Sequence, residues 1–61
     1  MINNEHYKGN IEPIDLIEAQ GLNFNRGNIV KYVSRAGKKE NEREDLEKAL
    51  WYIKRELDSI D

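Results

Sequence analysis

The C-terminal third of the chain carries the pattern that limits its fold most strongly. Between residues 42 and 60, apolar residues recur at i, i+3, i+4, i+7, i+11 and i+14: Leu46, Ala49, Leu50, Ile53, Leu57 and Ile60. An α-helix repeats about every 3.6 residues, so this spacing places them along one side of a helix. We therefore predict a helix over about residues 42–59 with this stripe facing a core. Asn41 and Glu44 resemble a capping box at its start.

Two shorter helices are predicted before it. Pro13 suits the first position of a helix over about residues 13–20, and Gly21 suits its end. Asn23 can cap a second helix over about residues 24–36, which Gly37 would end. The second helix also has an apolar stripe, made of Ile29, Val30, Val33 and Ala36. Residues 1–12 lack this periodicity and are predicted to form an irregular arm. The sequence thus predicts a single all-α domain of three short helices.

Gly27 interrupts the second helix. A glycine in a helix interior costs roughly 1 kcal/mol relative to alanine. Its position indicates either close approach of another backbone or a ligand, or a surface glycine that is merely tolerated. The sequence does not choose between these two explanations.

The small size of the chain limits how it can be stabilised. A domain of 61 residues buries only about 60% of the surface that its unfolded chain exposes. There is no cysteine and only one histidine, so disulfides and the usual zinc frameworks are not available. We therefore predict a homo-oligomer, and we expect no metal and no other cofactor.

The net charge of -2 excludes a general affinity for polyanions, so nucleic-acid binding is disfavoured. The longest apolar run covers three residues, 49–51, which is too short to span a bilayer. The first five residues have neither the basic nor the apolar segment of a signal peptide. These features predict a soluble protein of the cytoplasm.

The charges are nevertheless sorted along the chain. Residues 26–39 hold five basic residues and no acidic one, whereas residues 40–47 hold five acids and one arginine. On the second helix, Asn28, Lys31 and Arg35 share a face with Phe24, opposite the apolar stripe. Because guanidinium and ammonium groups bind phosphate, we predict that this face holds a phosphate-bearing molecule. The alternative is an ordinary solvated helix face. The turn that follows would add two further cations, Lys38 and Lys39.

The third helix offers a polar line beside its apolar stripe, made of Asp45, Lys48 and Tyr52. Lys48 is predicted to join the phosphate site, while Asp45 orients Arg35 or Lys31. The alternative is a surface ion pair of Asp45 with Lys48 or Lys39, worth under about 1 kcal/mol. Trp51 and Tyr52 are expected to be core or interface aromatics more than platforms for a nucleotide base.

Catalytic roles are assigned to three residues. His6 titrates near neutrality and is the candidate for proton transfer, although a lone histidine beside a tyrosine is more often a packing residue. Arg35 and Lys48 would stabilise charge on a phosphoryl group. Tyr7 or Tyr32 would stack on a base. Glu12, Asp15 and Glu18 carry acidic groups, but their place at a helix N-terminus explains them without a metal.

Several segments together resemble a known family. They are HY at 6–7, IEPIDLIEA at 11–19, LNFNRGN at 22–28, KY at 31–32, RAGKK at 35–39, DL at 45–46, KA at 48–49 and WY at 51–52. The chain is similar to a family of small phage-encoded domains of unknown function that is described as nucleotide-kinase-like. A larger relative, the nucleotide kinase of a short-tailed coliphage, implies phosphate transfer between deoxynucleotides by an oligomer without a Walker-type loop. This chain also lacks such a loop, because residues 35–39 contain only a Gly-Lys pair.

Three hypotheses follow. The first is a nucleotide-binding phage protein, with a (deoxy)nucleoside monophosphate kinase as its sharper form and a site at or near a subunit interface. The second is a non-catalytic module that sequesters a nucleotide signal or binds and inhibits a host protein. The third, which the acidic balance disfavours, is a nucleic-acid binder.

Overall fold

The computed structural model describes residues 11–38 and 40–61, which form three α-helices with no strand in those ranges. They are α1 (Pro13–Gln20), α2 (Phe24–Arg35) and α3 (Glu42–Ile60). The predicted all-α class is confirmed, and every predicted helix boundary lies within one residue of the structure. None of the helices in the described ranges has the length and apolar character needed to cross a membrane.

Local signals that are visible in the sequence mark where the first helix begins and ends and where the second helix begins. Pro13 is the first residue of α1, and Gly21 closes this helix in the left-handed conformation at φ 62°. Asn23 caps α2, since its Oδ1 accepts a hydrogen bond from the backbone nitrogen of Arg26 at 2.8 Å. These three predictions are confirmed.

The predicted capping box of α3 is wrong. Asn41 does occupy the position before the helix, but its side chain makes no capping hydrogen bond. Its backbone has φ -110° and ψ 69°, outside the extended conformation that a capping side chain normally adopts. The acidic first turn of α3, with Glu42, Glu44 and Asp45, favours the same helix end through the helix dipole.

The three helices lie side by side in one layer. The Cα atoms extend over 39 × 29 × 10 Å, so the described part of the chain is little thicker than one helix. α2 occupies the middle and packs against both α1 and α3. A single layer of helices has two broad faces, and it has no second layer to cover either of them.

The predicted internal core is therefore wrong. Of the α3 stripe only Ala49 is buried, and the other five residues are 37–65% exposed. On α2, Val33 is 52% exposed. The amphipathic pattern gave the correct helices, but α3 turns a different side toward α2. That side carries Asp45, Ala49, Tyr52 and Glu56, which the helical repeat places on one face.

Two polar contacts join α2 to α3, one at each end of the interface. At one end Arg35 pairs with Asp45, and at the other end Glu56 receives three donors. Asp45 is 2% exposed and Glu56 is 8% exposed. Buried carboxylates are retained only when they are paired, so these contacts fix how α3 lies along α2.

The groups that donate hydrogen bonds to Glu56 lie at the N-terminal end of α2. Its carboxylate accepts hydrogen bonds from Nδ2 of Asn23 at 3.0 Å and Nδ2 of Asn25 at 3.2 Å, and it lies 2.7 Å from Nε of Arg26. The hydrogen bond from Asn23, then that from Asn25, and the charge of Arg26 hold the pKa of Glu56 below its ordinary value of 4.5. The ionised carboxylate therefore pins the capped end of α2 to α3.

Gly27 is buried where α1 crosses α2. A Cβ atom at this position would lie 3.4 to 3.6 Å from three side-chain atoms of Ile17. Gly27 is therefore not a surface glycine, and its close neighbour is a side chain of α1. The contact leaves room for one methyl group but not for a larger side chain.

We predict that Gly27→Ala leaves the fold intact and raises the free energy of unfolding by up to about 1 kcal/mol. The new methyl group makes ordinary contact with Ile17, and alanine favours the helix. Gly27→Leu should instead lower the thermal midpoint, because its side chain pushes α1 away. Thermal unfolding followed by circular dichroism compares the two variants. A destabilised Gly27→Ala protein would contradict the described contact.

We also predict a specific loss of stability in acid. Because the pKa of Glu56 is lower in the folded chain than its ordinary 4.5, its contribution is present above pH 4.5 and disappears as the pH falls through the folded value. The thermal midpoint should therefore fall as the pH is lowered below 4.5. Glu56→Gln should be less stable than the parent near pH 7, and the difference should shrink in acid. A constant difference between the two proteins would count against this assignment.

Candidate functional site

An aromatic–basic cluster lies on one face of the α2–α3 pair. We use this name for Lys31, Tyr32 and Arg35 of α2 together with Lys48, Trp51 and Tyr52 of α3. Its centre is a stacked pair, in which the rings of Tyr32 and Tyr52 are nearly parallel at 12° with centroids 6.0 Å apart. Each ring comes from a different helix, so the stack depends on the α2–α3 contact.

Two further rings meet Tyr52 edge to face. The Trp51 ring lies 4.9 Å from it at 83°, and the Phe24 ring lies 6.0 Å from it at 71°. Trp51 is 57% exposed, although it contacts a half-buried tyrosine. Cζ of Arg55 lies 5.8 Å from the centroid of the Trp51 ring, over one of its faces. The other face is a flat surface on which another aromatic group can stack.

Three cationic groups surround the ring of Tyr32. Its centroid lies 4.8 Å from Nζ of Lys31, 5.3 Å from Cζ of Arg35 and 5.4 Å from Nζ of Lys48. The electron-rich face of the ring favours such groups and brings them together in spite of their mutual repulsion. This concentration of positive charge occurs in a chain whose net charge is negative.

Asp45 orients one of these cations. Nε and Nη2 of Arg35 both donate to Oδ1 of Asp45, at 3.2 and 2.8 Å. The side chain of Asp45 is 3% exposed, whereas that of Arg35 is 40% exposed. The hydrogen bond to Asp45 raises the pKa of Arg35, which stays charged. The structure thus brings together the pair that the sequence predicted, with Arg35 held in place and still in contact with water.

Lys38 lies beside the cluster at the end of α2. Its Nζ donates to the backbone oxygen of Ser34 at 3.0 Å. A shallow depression between the start of α1 and the end of α2 is lined by Ile11, Glu12, Pro13, Lys31, Ser34, Arg35 and Lys38. Lys31 and Arg35 therefore border both this depression and the cluster. A second depression is lined by Tyr32, Lys48, Trp51 and Tyr52.

Asn28 lies on the same side of α2, but its amide is already engaged. Its Nδ2 donates to the backbone oxygen of Phe24 at 2.9 Å, one turn earlier in the same helix. This bond fixes the side chain against α2. The predicted role of Asn28 in reading a sugar or a base stays a prediction.

Three predicted site residues lie outside the described part of the chain: His6, Tyr7 and Lys39. Their roles in proton transfer, stacking and phosphate binding stay predictions. In the ranges 11–38 and 40–61, no group of three imidazole or carboxylate side chains is close enough to hold a metal ion.

The sequence favoured packing roles for Trp51 and Tyr52. Tyr52 does pack against Tyr32, whereas Trp51 is 57% exposed and lines a depression with Lys48, a place that the sequence analysis did not assign to it. A signal was present, because Trp51 and Tyr52 follow Lys48 by three and four positions and so lie on its side of α3. The Tyr32–Tyr52 stack could not be deduced in this way. It depends on how the two helices align, which single-helix periodicity does not determine.

Comparison with known proteins gives a family match alone. A family model described as that of a protein of unknown function matches residues 2–54, which is most of the chain. No curated protein and no solved structure matches this chain.

We predict that Arg35→Ala lowers the thermal midpoint by several degrees, because it removes two donors from the buried carboxylate of Asp45. Lys31→Ala is the control, since Lys31 belongs to the same surface but is exposed. Thermal unfolding of both variants tests this. Adding Asp45→Ala to Arg35→Ala should cost less than the two single changes summed, and strict additivity would contradict a direct pair.

Proposed function

We propose a nucleotide-binding function for this chain, which belongs to the DUF3310 family of proteins of unknown function. Family membership carries no biochemical assignment, so the proposal depends on the chemistry of the aromatic–basic cluster. The relationship to a nucleotide kinase and the phage origin are implied by the resemblance alone.

The observation that carries the proposal is the coincidence of three cations with an exposed ring. A nucleotide presents a flat aromatic base and a multiply charged phosphate within a few ångströms of one another. The cluster offers the complementary groups, with Lys31, Arg35 and Lys48 around Tyr32. Trp51 lies beside Tyr52 and lines one depression together with Tyr32 and Lys48.

Each residue then has a definite role. Arg35, held by Asp45, binds phosphate oxygens with the edge of its guanidinium that remains accessible. Lys31 and Lys48 add point charges from the two helices. Trp51 stacks on the base, and Tyr52 supports the indole through its edge-to-face contact. Lys38 extends the positive surface toward α1.

The sharper hypothesis is a (deoxy)nucleoside monophosphate kinase. Phosphoryl transfer is catalysed mainly by positioning and by neutralising charge, and the cluster supplies cations for that. The depression at Lys31, Arg35 and Lys38 would have to receive a second nucleotide. In this hypothesis Arg35 and Lys48 stabilise the transferred group and His6 handles the proton.

One observation favours a second candidate, the sequestration of a nucleotide without turnover. The cluster is open to water, since Trp51 and Lys31 are both exposed. A phosphoryl-transfer site has to exclude water from the reacting phosphate, whereas a binding surface does not. A module that sequesters a nucleotide signal fits this openness better than a kinase does.

We predict that the parent protein binds a deoxynucleoside triphosphate more tightly than inorganic phosphate in titration calorimetry. Lys31→Gln combined with Lys48→Gln should weaken this binding at least about tenfold, and Trp51→Ala should weaken nucleotide binding without changing phosphate binding. Arg43→Gln is the matched control, because the side chain of Arg43 is 91% exposed and pairs with Glu47 in the same helix. Unchanged nucleotide affinity in both cluster variants would refute the proposed site.

A second measurement separates the candidates. Incubation with a deoxynucleoside monophosphate and a γ-labelled triphosphate transfers label to the monophosphate if the protein is a kinase. Binding without transfer supports sequestration. Retention of an oligonucleotide at about 150 mM salt, with no binding of single nucleotides, would instead support nucleic-acid recognition.

A further inference from the structure

The exposed apolar residues of α3 form a regular seam. Their spacing is four, three, four and three positions: Leu46, Leu50, Ile53, Leu57 and Ile60. This is the heptad spacing of a coiled coil, in which alternate residues occupy its two core positions. The seam continues through more than two heptads without a polar interruption. A coiled-coil seam has to be covered by another helix, and no described element of this chain covers it.

We propose that α3 pairs with α3 of a second copy of this chain as an antiparallel coiled coil. The charges that border the seam select both the partner and its direction. One edge of the seam points away from α2. It carries the residue that directly follows each of Leu46, Ile53 and Ile60. These residues are Glu47, Lys54 and Asp61. In an antiparallel coiled coil, these positions of one helix lie beside the same positions of the other helix.

One register satisfies these charges. When Leu50 lies against Ile53 of the second copy, Leu46 lies against Leu57 and all central layers are apolar. In the same register Glu47 lies opposite Lys54 of the second copy. The twofold symmetry repeats this contact, so each dimer has two Glu47–Lys54 pairs. Glu47 is 61% exposed in the single chain and Lys54 is exposed, so both can turn toward a partner.

The competing arrangements bring like charges together. A shift of the antiparallel register by one heptad in one direction places Glu47 opposite Glu47 of the second copy. The same shift in the other direction places Lys54 opposite Lys54 of the second copy. A parallel pair would place Glu42 near Glu47 of the second copy. Each alternative loses charge complementarity, which is how coiled coils reject wrong pairings. The register with Glu47 opposite Glu47 also places Arg43 against Ile53.

α2 closes the other edge of the seam. Ala49 and Glu56 would border the seam there, but both are buried in the contact with α2. By helical periodicity Val33, which is 52% exposed, points to the same side of the layer as the seam. A second copy would therefore cover both the apolar side of α3 and this part of α2. The second copy thus supplies the second layer that the single chain lacks.

The pairing is independent of the proposed nucleotide site. Lys48 and Trp51 point to the side of α3 opposite the centre of the seam. The dimer therefore carries two separate aromatic–basic clusters on its outer surfaces. A site shared between subunits, as the sequence suggested, would require a different contact.

Charge exchange tests the pairing. Sedimentation equilibrium of the full chain should show self-association to twice the 7.2 kDa of one chain. Lys54→Glu alone and Glu47→Lys alone should each weaken association roughly tenfold or more, because each turns two attractive pairs into repulsive ones. An equimolar mixture of the two variants, and the double variant, should associate as tightly as the parent. Asp58→Lys, a charge reversal outside the seam, should leave association unchanged.

The contrary results are equally definite. A parent chain that stays monomeric up to millimolar concentration would overturn the proposal. So would association that neither single variant weakens, or a loss in the single variants that neither mixing nor the double variant restores. Circular dichroism of each variant distinguishes weaker pairing from unfolding, since the mixture can regain association only if both variants remain able to fold.

Discussion

The contact between α2 and α3 is the constraint on which the remaining structure depends. It is unusual in that carboxylates, rather than large apolar side chains, occupy its most buried positions. Asp45 and Glu56 hold the two ends, and Ala49 and the Tyr32–Tyr52 stack fill the space between them. Polar contacts of this kind are directional, so they define one alignment of the helices more strictly than an apolar surface would. The same alignment brings cations from both helices around Tyr32.

The sequence predicted the local structure well because the signals for helix ends are local. Pro13, Gly21 and Asn23 act within one turn, and the structure uses each of them as expected. The packing was predicted less well. The apolar stripe of α3 predicts an internal core. Leu46 and Leu57 nevertheless remain exposed, because α3 presents Asp45 and Glu56 to α2 instead. Periodicity shows which residues share a face, and it cannot show whether that face meets its own chain.

The same distinction applies to the candidate site. Lys31 and Arg35 were identified because a run of basic residues without acids is visible in the sequence, and Asp45 was correctly expected beside Arg35. Trp51 was assigned to packing, because an aromatic residue in a helix usually packs. Its exposure beside Tyr52 depends on the thinness of the layer, which no short segment of sequence encodes. The roles of these residues in binding remain a proposal.

The two faces of the layer are encoded by neighbouring residues of one helix. Glu47 belongs to the border of the apolar seam, and Lys48, the next residue, belongs to the aromatic–basic cluster on the other side. Inserting or deleting a single residue in the middle of α3 would rotate everything beyond it by roughly 100°. Both faces would then lose their continuity at once. Divergence among related chains should thus proceed in α3 by substitution, while changes in length are confined to the segments that connect the helices.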